Sequence, residues 1–176
     1  MRKVLIAFVT TGALLGAASG ASAASATTTF TVSANVLKTC SVSATNLAFG
    51  NYTPGGGALT STSTVSVLCT NGTGFTAALN GGSTSGGTVA QRLMAESGGS
   101  GTLQYNLYTT AAHATVWGDG TGSTVTQAGT GAGMAAADAQ TLTVYGQLPD
   151  NAANQAAPVT GATTAYSDTI TVTVTY

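Results

Sequence analysis

Two segments in which apolar and polar residues alternate, at 29–36 and 166–176, constrain the fold of this chain most. The apolar residues of the first segment are Phe30, Val32, Ala34 and Val36. Those of the second are Ile170, Val172, Val174 and Tyr176, after which the sequence offers no turn and no partner strand. A period of two predicts β-strands with one apolar face, and an open strand edge needs a neighbour for its N–H and C=O groups. The pattern therefore favours a fold that is completed by strands lent between molecules.

The first residues have the pattern of a secretory signal peptide. Arg2 and Lys3 precede an apolar run at 4–15, and a small-residue cleavage site ends at Ala23. Cleavage after Ala26 fits nearly as well. The apolar run is shorter than the roughly 20 residues that a membrane-spanning helix needs. We therefore expect a signal peptide at 1–23, export from the cytoplasm, and no membrane insertion.

Charged residues are unusually scarce. They make up 5% of the sequence, against about 25% in an average protein. Once Arg2 and Lys3 are removed, Lys38 and Arg92 are the only strong cations, so the chain is mildly acidic. Because the sequence has no basic patch, nucleic acid and anionic lipid are not expected as partners. A surface that is polar through Thr, Ser, Asn and Gly suits a protein that packs against copies of itself.

The residues that could carry chemistry are few. Cys40 and Cys69 in an exported chain predict one disulfide, which in the chain-entropy model stabilises the fold by roughly 3–4 kcal/mol. Two cysteines and the single His113 are too few for a zinc site. No motif ties His113 to a nucleophile or a carboxylate, and the glycine-rich loop at 81–87 lacks the lysine of a phosphate loop. We therefore expect no catalytic residue, no cofactor and no metal.

The pattern along the mature chain is all β. Segments rich in Val, Thr, Tyr and Phe are separated by Gly-, Ser- and Asn-rich loops, a spacing that is typical of a β-sandwich. The predicted strands are 29–36, 40–49, 64–69, 75–80, 103–109, 115–117, 141–148 and 167–176. At most one helical turn is expected, at 134–140, and no second domain.

An ordered set of short motifs runs along the predicted domain. The motifs are LAFGNY at 47–52, RLM at 92–94, LQYNLY at 103–108, VWGDG at 116–120, VYG at 144–146 and YSDT at 166–169. In this order, and together with Cys40 and Cys69, the set resembles the spore coat protein U family. That family includes subunits of archaic (Csu-type) chaperone–usher pili of Gram-negative bacteria. The resemblance covers nearly the whole mature chain.

The resemblance implies an incomplete immunoglobulin-like sandwich of the pilin type at 39–176, preceded by a donor-strand extension at 24–38. A periplasmic chaperone would lend the missing strand during folding. At the outer-membrane usher, the extension of the next subunit would replace it. The donor side chains would be Phe30, Val32, Ala34 and Val36. The wall of the acceptor groove, and the strand that the chaperone reads, would be formed by Ile170, Val172, Val174 and Tyr176. Cys40 and Cys69 would correspond to the family's disulfide.

We therefore expect a non-enzymatic subunit of a surface fimbrium, assembled head to tail from identical or related subunits and supporting adhesion and biofilm formation. Three alternatives are open. In the first, the leading strand at 29–36 pairs within its own chain as an ordinary first strand. In the second, the protein is a spore-coat or extracellular matrix protein of the same fold, and in the third it is a self-contained, secreted carbohydrate-binding β-sandwich.

Overall fold

The computed structural model describes residues 22–159 and 164–176. The predicted signal peptide therefore lies outside the described residues, apart from Ser22 and Ala23. The chain divides into two units, 1–35 and 36–176. The described part of the first unit is exposed and contains neither helix nor strand. Within the described ranges, no helix has the length and apolar character needed to cross a membrane.

The described residues of the second unit form nine strands and two very short helices. The strands are β1 (Cys40–Ala44), β2 (Leu59–Cys69), β3 (Gly74–Leu79), β4 (Arg92–Glu96), β5 (Thr102–Tyr108), β6 (Gln127–Thr130), β7 (Gln140–Leu148), β8 (Tyr166–Ser167) and β9 (Val172–Thr175). The helices are a 3-10 turn at Ala136–Asp138 and α1 at Ala152–Gln155. The predicted all-β class is confirmed, and the helical turn expected at 134–140 is present, whereas α1 lies in a segment that was predicted to be a loop.

Two antiparallel sheets form the sandwich. The larger has the order β1-β2-β7-β5-β4-β8 and the smaller has the order β6-β3-β9. β2 and β7 pair over the longest stretch, from Leu59 opposite Leu148 to Val67 opposite Gln140. Alternate residues of each strand point into the core, as the pleat requires. The core is formed by side chains of both sheets, among them Val65, Val67, Phe75, Leu79, Leu107, Trp117 and Val144.

The disulfide predicted between Cys40 and Cys69 is present. The two residues lie directly opposite each other where β1 begins and β2 ends. Cys69 is fully buried, whereas Cys40 is half-buried. The covalent bond therefore fixes the register of β1, which lies at the edge of the larger sheet.

Several of the strand predictions were wrong, and the predicted strand at 29–36 is not formed. The segment 167–176 is not one strand, because the chain leaves the larger sheet after β8 and joins the smaller one at β9. The first strand of the sandwich ends at Ala44 rather than at 49. The segment 115–117 forms only isolated bridges. β4 and β6 were missed, since β4 begins and ends with a charged residue and β6 is a short QAGT segment without apolar alternation.

Arg92 is one of the chain's few cations, yet it is completely buried. It lies on β4, and its side chain spans the sandwich: Nε donates to the carbonyl of Asn80 at 2.9 Å, beyond the end of β3. Nη2 donates to the carbonyl of Trp117 at 2.9 Å, and Nη1 to Oδ1 of Asn106 at 2.6 Å. Buried polar groups are tolerated when they are paired in this way. The Arg92 side chain therefore connects the two sheets through buried hydrogen bonds.

Two of the sequence motifs meet in space. A Cβ placed on Gly146 of β7 would lie 2.7 Å from Cδ1 of Leu47 and 3.1 Å from Cζ of Phe49. Glycine at this position therefore allows the segment after β1 to pack flat on the larger sheet. The LAFGNY and VYG motifs therefore pack against each other, with Leu47 and Phe49 of the first lying on Gly146 of the second.

We expect Gly146→Ala to destabilise the protein by about 1–3 kcal/mol, because the added methyl group overpacks the contact with Leu47 and Phe49. Urea denaturation of the oxidised protein measures the change. The matched control is Gly74→Ala, where a Cβ would meet nothing within 4 Å. Equal stability of the two variants would show that the close approach at Gly146 has no energetic role.

Candidate functional site

A groove of about 560 Å³ opens beside the edges of the two sheets. On one side it is bordered by Ala44 at the end of β1 and by the residues that follow. On the other side it is bordered by 166–170 and by Val172 of β9. β1 and β9 are the terminal strands of their sheets. A volume this large far exceeds the small voids of ordinary packing, since one water occupies about 30 Å³.

The floor of the groove is the hydrophobic core itself. Val65 of β2, Leu79 of β3, Leu107 of β5 and Val144 of β7 line it, and each is at least 94% buried. Core side chains of both sheets thus border the groove, and no strand of the described residues covers them there. Outside the groove lining, the edge strand β1 is also open to solvent: Val42 pairs with Val67, which is fully buried, yet Val42 is 42% exposed.

The rim on the β1 side is held by hydroxyl groups. Oγ1 of Thr45 accepts a hydrogen bond from the backbone N–H of Thr64 at 3.0 Å. The backbone N–H of Thr45 donates to the carbonyl of Thr64 at 3.0 Å, and Oγ of Ser63 donates to the carbonyl of Thr45. Beyond this point the chain leaves β2, and Leu47 and Phe49 pack against the core. These bonds fix where β1 ends and the groove begins.

The rim on the β9 side carries the apolar residues predicted from the alternation. Ile170 and Val172 are half-buried and line the groove, whereas Thr171 and Thr173 are exposed. Val174 is half-buried and packs against the core. Tyr176 is 54% exposed. The structure therefore brings Ile170 and Val172 together at the groove, with Val174 farther along the strand and Tyr176 at its exposed end.

The predicted donor residues lie in the N-terminal segment. Phe30 is 86% exposed, Val32 83% and Val36 89%, and Ala34 is exposed as well. No strand is assigned anywhere in residues 22–39. Burial of a side chain such as Phe or Val stabilises by roughly 1.5–3 kcal/mol, so their exposure leaves a considerable apolar area in contact with water.

A polar cluster forms part of the lining of the groove. Asp168 lies between β8 and β9, and its Oδ2 accepts a hydrogen bond from the hydroxyl of Tyr105 at 2.7 Å. Its Oδ1 accepts bonds from the backbone N–H groups of Ser83 at 2.8 Å and Thr84 at 3.0 Å. Both Tyr105 and Asp168 line the groove. The carboxylate thus joins the floor of the groove to the loop after β3.

This environment sets the ionisation of both groups. Burial raises the pKa of Asp168, but hydrogen bonds from Tyr105, Ser83 and Thr169 outweigh it, so its pKa is lowered from the ordinary value. Burial, followed by the hydrogen bond to Asp168, raises the pKa of Tyr105. Tyr105 is therefore the proton donor and Asp168 the charged acceptor at neutral pH.

Sequence reasoning included Tyr105 and Asp168 in the motifs LQYNLY and YSDT but gave neither a role, and it missed the floor of the groove. Asp168 could have been singled out, because it is one of only five acidic residues and directly precedes the apolar alternation of β9. Tyr105 carries no local signal, since its partner is 63 residues away. In the part of the chain that the structure describes, no group of three or more His, Cys, Asp or Glu is placed to hold a metal ion.

Comparisons with known proteins give a family and a similar fold. A family model described as the Spore Coat Protein U domain matches residues 26–173 of the chain. Among solved structures, the chain is similar to one in the CsuC–CsuE chaperone–tip adhesion subunit pre-assembly complex from archaic chaperone–usher Csu pili of Acinetobacter baumannii, with a TM-score of 0.54 and 21% identity. That match covers 80% of this chain and 40% of the other. No curated protein matches. The likeness supports the predicted immunoglobulin-like pilin sandwich.

We expect the stability contributed by Asp168 to depend on pH. Because its pKa is lower in the folded protein than the ordinary 3.8, the contribution is present above about pH 4 and is lost as the pH falls further. Thermal denaturation of the wild type and of Asp168→Asn should show different Tm values at pH 6 that converge below pH 4. A difference that stays constant down to pH 2 would contradict a role for the charge.

Proposed function

Because the chain belongs to the Spore Coat Protein U domain family, we propose that it is a structural subunit of a surface pilus assembled through the chaperone–usher pathway. The groove carries this proposal. It lies beside the edges of two sheets, its floor is the core, and its volume is about 560 Å³. The occupant that fits such a place is one further β-strand, which would pair with the open edges and cover the floor.

The strand that suits the groove is the N-terminal extension, 24–38, of another copy. Its apolar residues recur at every second position, so Phe30, Val32 and Val36 would all point to the same face of a strand. Each would contribute about 1.5–3 kcal/mol on burial, with less from Ala34. Main-chain hydrogen bonds to a sheet edge would add roughly 0.5–1.5 kcal/mol each. Addition of a strand to an open edge is an established mode of recognition.

Before that exchange, a periplasmic chaperone would protect the groove. The solved relative is a complex of a chaperone with a tip adhesion subunit before assembly. In this chain, β9 is bonded to β3 on one side only, so its other edge is open. A chaperone could pair one of its own strands with that open edge. An outer-membrane usher would then exchange the chaperone for the next subunit.

The contact is head to tail, because the extension and the groove are different surfaces of one molecule. A heterologous contact of this kind does not close on itself and therefore propagates as a fibre. The product would be a homopolymeric or mixed fimbrium on the surface of a Gram-negative cell, reached by export through the periplasm. Attachment and biofilm formation are the roles that we assign to the fibre, and we assign no enzymatic activity.

We expect charges on the apolar face of the extension to abolish the fibre. Phe30→Asp with Val32→Asp would bring carboxylates into the groove, where an unpaired charge is strongly unfavourable. Material sheared from the native bacterium is compared on gels with and without heating, and the wild type should give a ladder of oligomers that collapses on boiling. The matched control is Thr31→Asp with Ser33→Asp, on the opposite face. A normal ladder from the first variant would contradict strand donation.

We expect Val172→Asp to abolish capture by the chaperone, because Val172 lines the groove and a carboxylate there would lie against the core. The yield of subunit in the periplasm should fall at least about tenfold. Thr173→Asp, at an exposed position of the same strand, is the control and should accumulate normally. Equal yields of the two variants would show that the assignment of faces on β9 is wrong.

A further inference from the structure

We propose that the hydrogen bond between Tyr105 and Asp168 positions the receiving edge of the groove before a strand arrives. The receiving edge is defined here as residues 168–172. This inference rests on the proposed function, since it concerns how the groove accepts a strand. Tyr105 and Asp168 are positioning residues: they hold the edge, and the incoming strand pairs with the edge that they hold.

Asp168 lies where the chain crosses between the two sheets. Before it, β8 pairs with β4 of the larger sheet, through Ala95 opposite Ser167 and Glu96 opposite Tyr166. After it, β9 pairs with β3 of the smaller sheet over four residues. Strand pairing holds both ends of the crossing but not its middle. The path of the receiving edge therefore depends on the backbone bond from the N–H of Asn80 to the carbonyl of Thr171, at 3.1 Å, and on side-chain bonds.

These bonds attach the crossing to both sheets. Tyr105 belongs to β5 of the larger sheet and forms part of the floor. Ser83 and Thr84 belong to the loop that follows β3 of the smaller sheet, and each gives Asp168 a backbone and a hydroxyl hydrogen bond. Farther along, the N–H of Thr171 donates to Oδ1 of Asn80 at 2.9 Å. A single carboxylate thus fixes the crossing relative to both sheets.

The loop after β3 is shaped around this carboxylate. A Cβ on Gly82 would lie 2.0 Å from Oδ2 of Asp168, and the φ angle of Gly82 is +93°. Only glycine combines that backbone conformation with room for the carboxylate. Space for Asp168 is therefore built into the loop, independently of its hydrogen bonds.

An empty apolar groove needs such an anchor. Ile170 and Val172 are half-buried and border the groove, so the hydrophobic effect favours movement of the receiving edge over the floor. That movement would separate Asp168 from Tyr105 or from Ser83 and Thr84. A partly buried carboxylate would then lose hydrogen bonds without regaining full hydration, which is unfavourable. The anchor therefore keeps the groove open.

The role of an anchor has a kinetic signature. If only a fraction of the molecules holds the edge open, the association rate of a strand falls in proportion to that fraction. Dissociation changes little, because the bound strand itself holds the edge. Substitution of a residue that merely stabilises the fold would change the unfolding midpoint, but it would not lower the association rate selectively while leaving the dissociation rate unchanged.

The test measures binding of a fluorescent peptide with the sequence of residues 24–38. The receiver is the oxidised full chain carrying Phe30→Asp and Val32→Asp, which cannot fill the groove of its neighbour. Tyr105→Phe and Asp168→Asn in this background should lower the association rate by about three- to tenfold, the range that one hydrogen bond accounts for. The dissociation rate should stay within about twofold.

The matched control is Tyr52→Phe, which removes another tyrosine–aspartate bond, from Tyr52 to Oδ1 of Asp150, outside the groove lining. It should leave the association rate unchanged. Emission of Trp117, the single tryptophan and fully buried, verifies the fold of every variant. If Asp168→Asn fails to fold, Tyr105→Phe decides.

Two results would overturn the positioning role: an unchanged association rate in Tyr105→Phe, or an equal loss in Tyr52→Phe. Strand acceptance would still stand after either of them. No binding of the peptide to the receiver itself would instead overturn the proposed function, and the positioning role with it.

Discussion

An apolar core that meets a groove along one side governs the rest of this molecule. The half-buried apolar side chains that border the groove, such as Ile170 and Val172, favour any strand that covers them, and the sheet edges beside the groove carry main-chain groups that a strand can pair with. The exposed apolar residues of the N-terminal segment have the complementary character. Both features are unfavourable in an isolated molecule, and both would be relieved by the same contact. The polar bonds at Thr45 and Asp168 then matter because they mark the two rims of the groove.

The structure also accounts for how a chain with so few charges uses them. Arg92 spans the sandwich between β4 and the end of β3, and Asp168 fixes the crossing between β8 and β9. Asp150 organises a loop by accepting hydrogen bonds from Tyr52 and from the N–H groups of Gly55 and Gly57, which lower its pKa to about 2. In each case the charge holds segments together that are distant in sequence. These three charged residues stabilise the fold, while the outer surface is polar through hydroxyl and amide groups.

Much of this fold is predictable from local pattern, since the alternation of apolar and polar residues along β3, β7 and β9 indicates which face of each strand is buried. The cysteine pair was predictable from its count. Other features depend on contacts that leave no local trace. β4 was missed because its first and last residues, Arg92 and Glu96, are charged and leave only three apolar residues between them, although the arginine side chain reaches partners across the core. The partnership of Gly146 with Leu47, and that of Tyr105 with Asp168, become visible only when strands distant in sequence lie side by side.

The disulfide has a mechanical consequence for a fibre. If the extension is gripped by a neighbour, any pulling force enters the domain at Cys40, on an edge strand that would otherwise peel away bond by bond. The link to Cys69 passes this load covalently to β2, which is paired with β7 from Leu59 to Val67. The force is then borne by many hydrogen bonds in shear rather than by one bond at a time. Oxidation of this cysteine pair would thus keep β1 from being pulled off its own domain under load.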